Sequence, residues 1–118
     1  MSIYQDIILD HYRNPRNKRS LQNPTASSDL RNPLCGDVIH VDVAVRDGVI
    51  TDVAFEGSGC AISQASASMM TEYAKGKSNE ALKKIDKDFI VGMLGLELSP
   101  TRLKCALLAW EALARSLP

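Results

Sequence analysis

Between Val38 and Phe55 the chain alternates apolar and polar residues on both sides of an Asp-Gly pair, a period that no helix accommodates. Ile39, Val41, Val43 and Val45 fall on one face of an extended strand, with His40 and Asp42 on the other. Asp47-Gly48 supplies a tight turn, and Val49, Thr51, Val53 and Phe55 carry the alternation into a second strand. The pattern predicts a half-buried antiparallel hairpin, and its apolar face must be covered by something else in the chain.

Helical signals on either side supply the cover. Ser2 and Gln5 form a capping box ahead of Tyr4, Ile7, Ile8, His11 and Tyr12, and Asn14-Pro15 should end that first helix. Residues 13 to 34, rich in Asn, Pro, Ser and Arg, read as loop with room for one short edge strand. After the hairpin, Gly57-Ser58-Gly59-Cys60 opens a helix with Ile62, Ala65, Met69 and Tyr73 as its apolar stripe, closed by Gly76. Ser78 caps a short helix reaching Ile85, and a further piece runs from Phe89 to Leu94, weakened by Gly92 and Gly95. Ser99-Pro100 starts a last helix with Leu103, Leu107, Trp110, Ala114 and Leu117 on one face. Helix, strands, then helices predict an α+β fold in which helices pack on one side of a small antiparallel sheet.

At 118 residues the chain is sized for one domain, 1–118, and its 45% apolar and 24% charged content is that of a folded protein with an aliphatic core. Fourteen basic and fourteen acidic residues cancel, so no global field attracts nucleic acid or an anionic membrane. No segment approaches the ~20 apolar residues of a membrane span, and Asp6 and Asp10 interrupt the first helix, so no secretory leader is expected and the location is expected to be cytoplasmic.

Cys35, Cys60 and Cys105 are odd in number and far apart, which suits thiols rather than a disulfide framework. Cys35 enters the first strand of the hairpin and Cys60 leaves the second, so both lie at one end of the sheet. Cys105, early in the last helix, joins them if that helix starts over the same end. With Asp37 they would make four ligands, the number taken by a zinc ion or by the irons of a [2Fe-2S] cluster. A carboxylate among thiolates would hold such cargo less firmly than a fourth cysteine. Taken singly, Cys105 between Leu103 and Leu107 reads equally well as a small buried hydrophobe.

Four blocks in order, "DHYRNPRN", "NPLCGD", "FEGSGCAISQASASMM" and "RLKCALLAWEAL", resemble the U-type iron-sulfur cluster assembly scaffolds, a family that includes IscU, SufU and the N-terminal domain of NifU. The resemblance covers almost the whole chain. It implies a SufE/NifU-like α+β scaffold in which Cys35, Asp37, Cys60 and Cys105 surround iron, a transient [2Fe-2S] cluster or Zn2+. It also implies a PLP-dependent cysteine desulfurase as sulfur donor, with Cys35 or Cys105 as candidate persulfide acceptor. Downstream, a cluster carrier or apo iron-sulfur proteins would receive the product, and two copies could share a bound cluster. The chain would then be a scaffold and sulfur acceptor, not an enzyme with its own turnover.

Two departures separate it from each branch. Where IscU-like members have a histidine before the last cysteine, this chain has Lys104, and Leu98-Ser99-Pro100-Thr101-Arg102 replaces their chaperone-recognition segment. Lys104 and "CAISQASASMM" resemble SufU, yet the interval from Gly76 to Pro100 is too short for the segment that SufU proteins insert there. Lys104 could support thiolates electrostatically or simply be a solvated helix lysine. A structural zinc domain serving as an interaction module and a cysteine hydrolase are the competing classes, although nothing in the sequence sets His11 or His40 against a cysteine. Arg13, Arg16, Lys18 and Arg19 read as a solvated basic run that could dock an acidic partner, and the hydrophobics of residues 89 to 98 as packing or a partner contact.

Overall fold

The structure, a computed structural model, describes residues 3–33 and 36–118. Ser2 of the expected capping box lies outside them. Eight elements follow in the order α1 (Ile3–Arg13), β1 (Ala26–Asn32), β2 (Asp37–Arg46), β3 (Val49–Ser58), α2 (Ala61–Ala74), α3 (Asn79–Lys83), α4 (Lys87–Leu94) and α5 (Pro100–Ser116). The three strands form one antiparallel sheet in the order β1-β2-β3. The α+β expectation holds, and the loop-rich stretch before Pro33 contributes a seven-residue edge strand.

The hairpin turns where expected, with Asp47 and Gly48 both at positive φ (53° and 76°), the pair of values a type I′ turn needs. Its second strand corrects the expected alternation. Opposite the Ala44–Val45 step, Thr51 is an extra residue, because Ala44 pairs with Asp52 and Val45 with Ile50. This bulge reverses the phase of the strand's first turn of sequence. Ile50 is therefore fully buried beside Val53 and Phe55, while Val49 and Thr51 face solvent.

The sheet's inner face carries Ile39, Val41, Val43, Val53 and Phe55 into one core with Met70, Leu94, Ala106, Leu108, Ala109 and Leu113 from the helices. The outer face is not open. Asp42 and Ala54 are buried there, the amide of Leu21 donates to Asp42 Oδ2 (3.0 Å), and the amide of Phe55 donates to the Asn17 carbonyl (3.0 Å). The segment after α1 thus lies across the face that the alternation had assigned to solvent. Two of its cations serve this arrangement: Arg16 pairs with Asp10 (2.6 Å) and Arg19 with Asp52 (2.9 Å).

Two helix stripes also differ from expectation. In α2 the burial runs nearly all round, from Ser63 through Ser68 and again at Met70, Thr71 and Ala74, whereas Ile62, Met69 and Tyr73 are only half-buried. Small Ala and Ser side chains let this helix sit between α1, α5 and the sheet. In α5 the buried face is Cys105, Ala106, Ala109, Ala112, Leu113 and Ser116, with Leu108 and Trp110 beside it, and Ala114 is exposed. Apolar count ranks leucines above alanines; close approach of two backbones ranks them the other way. In α4, Asp86 caps a helix that starts at Lys87, ahead of the expected Phe89, and Gly95 ends it at φ 69°. Phe89 is 39% exposed, while Ile90 and Leu94 are core, which divides the 89–98 stretch between surface and packing.

Candidate metal and sulfur site

The site lies at the end of the sheet opposite the hairpin turn. Asn32 and Asp37 face each other as the last pair of β1 and β2, closing a short loop whose Gly36 amide donates to the Asn32 carbonyl (2.8 Å). Gly36 has φ +74°, a left-handed value that lets the chain reverse directly into Asp37. Asp37 shares the inward face of Ile39, and its carboxylate is 2% exposed. A carboxylate this buried needs strong donors. One is the Cys60 amide, which donates to Asp37 Oδ1 at 3.0 Å.

Cys60 reaches the same place from the neighbouring strand. Val38 pairs with Ser58, so the chain leaving β3 emerges beside the start of β2, and Cys60 becomes the N-cap of α2. Its sulfur accepts the Ser63 amide (3.5 Å) and lies 3.8 Å from Asp37 Oδ2. Gly59 makes the approach feasible: a Cβ there would press into the Asp37 carboxylate and the Ser63 hydroxyl. Cys105, in the second turn of α5, is 3% exposed and accepts the side-chain amide of Asn32 at 3.8 Å. Cys60, in contrast, is exposed.

One oxygen of Asp37 and the sulfurs of Cys60 and Cys105 all lie within 4.8 Å of one another. Three of the four expected ligand positions therefore converge, from β2, the α2 cap and α5. The fourth, Cys35, lies outside the described residues. Two thiols and a carboxylate are donors that both zinc and iron-sulfur clusters take, and the α2 N-terminus beside Cys60 favours negative charge there. Lys104 is exposed on α5 and lines a groove with Arg31, Asn32, Pro33, Leu108 and Glu111, on the Asn32 side of Cys105.

The histidines stand elsewhere. His11 is buried with Nδ1 2.7 Å from Ser68 Oγ, and burial, helped by Arg16, holds its pKa below the usual histidine value. His40 is half-buried on the outer face between Asp29 and Asp42, each at 2.7 Å, not simply exposed as the alternation suggested. Burial opposes its charge, but the bonds to the two carboxylates outweigh that and raise its pKa. Sequence reasoning missed Asn32, whose signal was its place three residues ahead of the "CGD" block and at an inward position of the edge strand.

Residues 3–118 match the model of the NifU-like N-terminal domain. The chain belongs to this family. Among its relatives, the zinc-dependent sulfurtransferase SufU of Bacillus subtilis is 39% identical, over 98% of this chain and 90% of that one. The iron-sulfur cluster assembly scaffold protein IscU 1 of Archaeoglobus fulgidus is 37% identical, over 98% of this chain and 74% of that one. Family members share the fold as well: the N-terminal part of a nitrogen-fixing NifU-like protein from Brucella abortus superposes with a TM-score of 0.78 at 28% identity, covering 97% of this chain and 91% of the other. The alignment with the B. subtilis relative runs over 133 positions against the 118 residues here, so that relative carries residues inside the matched region that this chain lacks. With the A. fulgidus relative it runs over 115.

Proposed function

We propose that this chain is an iron-sulfur cluster assembly protein that accepts sulfur from a PLP-dependent cysteine desulfurase and holds iron, a transient [2Fe-2S] cluster or zinc at Cys35, Asp37, Cys60 and Cys105 for delivery to a cluster carrier or apo proteins. The observation that carries the reading is the convergence of Asp37, Cys60 and Cys105 within 4.8 Å from three separate elements. A buried structural ion would fit four cysteines better; a carboxylate in the set, one of whose oxygens already accepts a backbone amide, is an exchangeable ligand.

Sulfur transfer needs no outside oxidant. A thiolate of this chain attacks the outer sulfur of the donor persulfide, the donor S–S bond breaks as a new one forms, and the donor cysteine leaves as thiolate. Cys35 and Cys105 are the acceptors we favour. Cys105, at 3% exposure, must be uncovered for a donor to reach it. Residues 1–118 act as one unit in this reading, in the cytoplasm, and no helix among the described residues is long and apolar enough to cross a membrane.

A second reading, a zinc-dependent sulfur relay without cluster assembly, is favoured by Lys104 and by the similarity to the B. subtilis protein. Metal and acid-labile sulfide content of anaerobically purified wild type and Asp37→Ala decides between the two. Iron and sulfide in equal amounts, with visible absorbance that persists longer in Asp37→Ala, is the scaffold result; stoichiometric zinc without sulfide is the relay result. Neither metal nor persulfide after incubation with a desulfurase and cysteine would end both readings. Single Cys→Ala variants, with persulfide located by mass spectrometry, assign the acceptor.

A further inference from the structure

β1 sends every second side chain toward the helices: Ala26, Ser28 and Leu30 are half-buried and Asn32 is 5% exposed. Ala26 and Leu30 pack on the core, and the Ser28 hydroxyl donates to the Ala112 carbonyl of α5. At the last inward position the strand carries an amide where its own pattern would accept an aliphatic side chain. A buried amide left without partners costs several kcal/mol by transfer to an apolar medium, roughly 1 to 3 on mutational scales. Its side-chain nitrogen points at Cys105 Sγ, 3.8 Å away, and its strand partner is Asp37.

We propose that Asn32 is a positioning residue of the site, its amide holding the Cys105 sulfur in the rotamer that faces Asp37 and Cys60 and bonding to the thiolate when the site is loaded. The inference rests on the functional reading above. Cys105 stands in the interior of α5, and the Asn32 side chain brings a donor to its sulfur from β1. Thiolate is the form in which sulfur binds metal or attacks a persulfide, and an N–H bond to it is charge-assisted, stronger than the same bond to a thiol. Asn32 also lines the groove of about 450 Å³ that Arg31, Lys104 and Glu111 flank, so it stands between Cys105 and solvent on that side.

Cobalt(II) binding to purified wild type and Asn32→Leu tests this, because leucine nearly matches the side chain in size and removes the donor. Loss of an outer-shell bond of this kind typically weakens metal affinity by about 10- to 100-fold. Asn32→Leu is expected to fall in that range and to shift its sulfur-to-cobalt charge-transfer band to lower energy, while circular dichroism and melting of the metal-free protein stay near wild type. A band position and affinity equal to wild type would overturn the inference. If Asn32→Leu fails to fold, Asn32→Ala carries the same comparison. A measurement needing no variant runs alongside: cadmium loading of wild type should move the Asn32 side-chain amide protons downfield, and unmoved resonances count against the bond. Wild type without any thiolate-to-cobalt band would instead defeat the functional reading itself, and this inference with it.

Discussion

His40 shows how a single residue's surroundings set its chemistry. It bridges Asp29, on the neighbouring edge strand, and Asp42, whose carboxylate also accepts Ser27 Oγ and the Leu21 amide that fastens the crossing loop. Burial opposes the Asp42 charge, but those bonds outweigh it and lower its pKa, so His40 faces two negative groups. Because its folded pKa is raised above about 6.5, its contribution to stability is complete below that pH and fades as pH rises through the folded value. His11 works the other way: its lowered pKa makes its contribution complete above about 6.5 and lost on acidification. His40→Gln should therefore cost more stability at pH 6 than at pH 8, read from urea midpoints; equal losses would show that the two carboxylates do not hold a charged imidazole. The alternation of Val38–Val45 placed His40 on the outer face correctly. It could not place Asp29, which reaches His40 from the edge strand, or Leu21, whose amide reaches Asp42 from the crossing loop.

At the scale of elements, α2 and α5 meet through polar groups that their sequences present as ordinary serines. Ser66 Oγ donates to the Ala106 carbonyl (2.6 Å) and accepts the Trp110 indole N–H (3.0 Å), both within the buried interface. Ser66→Ala removes both bonds at once: the Trp110 indole N–H becomes a buried donor without an acceptor, which costs about 1 to 3 kcal/mol, and the Ala106 carbonyl is left with its bond within α5 alone. We expect a loss of a few kcal/mol in urea unfolding with an altered Trp110 emission, and a change under ~0.5 kcal/mol would mean that the interface re-pairs those groups. Element type and order were legible from period and caps: Ser78 and Ser99 cap the helices expected of them. Phase was not. Thr51 looks like one more alternating residue, and only its pairing across to the Ala44–Val45 step reveals the bulge. The helix stripes went astray for a related reason, since a helix of alanine and serine buries itself by fitting closely, which hydrophobicity alone does not register.

For the whole molecule the question is whether the site supports the fold or the fold the site. The core cluster spans α1, the sheet and α2 to α5 and contains none of Asp37, Cys60 and Cys105. The fold should thus survive loss of metal, which separates this protein from a structural zinc domain that unfolds on chelation. Chelator-treated protein is expected to keep its far-UV circular dichroism. Zinc at one hundred times its dissociation constant adds about 2.7 kcal/mol, a rise in Tm on the order of 10 °C for a chain of this size. Unfolding on chelation would return the structural domain to first place. Of the site, Asp37 and Cys60 were legible because one hairpin brings its own two ends together. Cys105 was legible only as a condition on where the last helix starts, a matter of packing that no local pattern records.

The three described groups are contributed at positions 37, 60 and 105, and that ordering has a consequence during synthesis. A chain emerging at about 5 to 20 residues per second needs roughly 3 to 11 s to pass from Cys60 to the end of α5 at Ser116. Throughout that interval the carboxylate and one thiol can already meet through the hairpin, but Cys105 is either not yet made or not yet held in a docked helix. A nascent chain is therefore a poor trap for stray metal, and the complete set of donors appears only on a molecule whose core has closed.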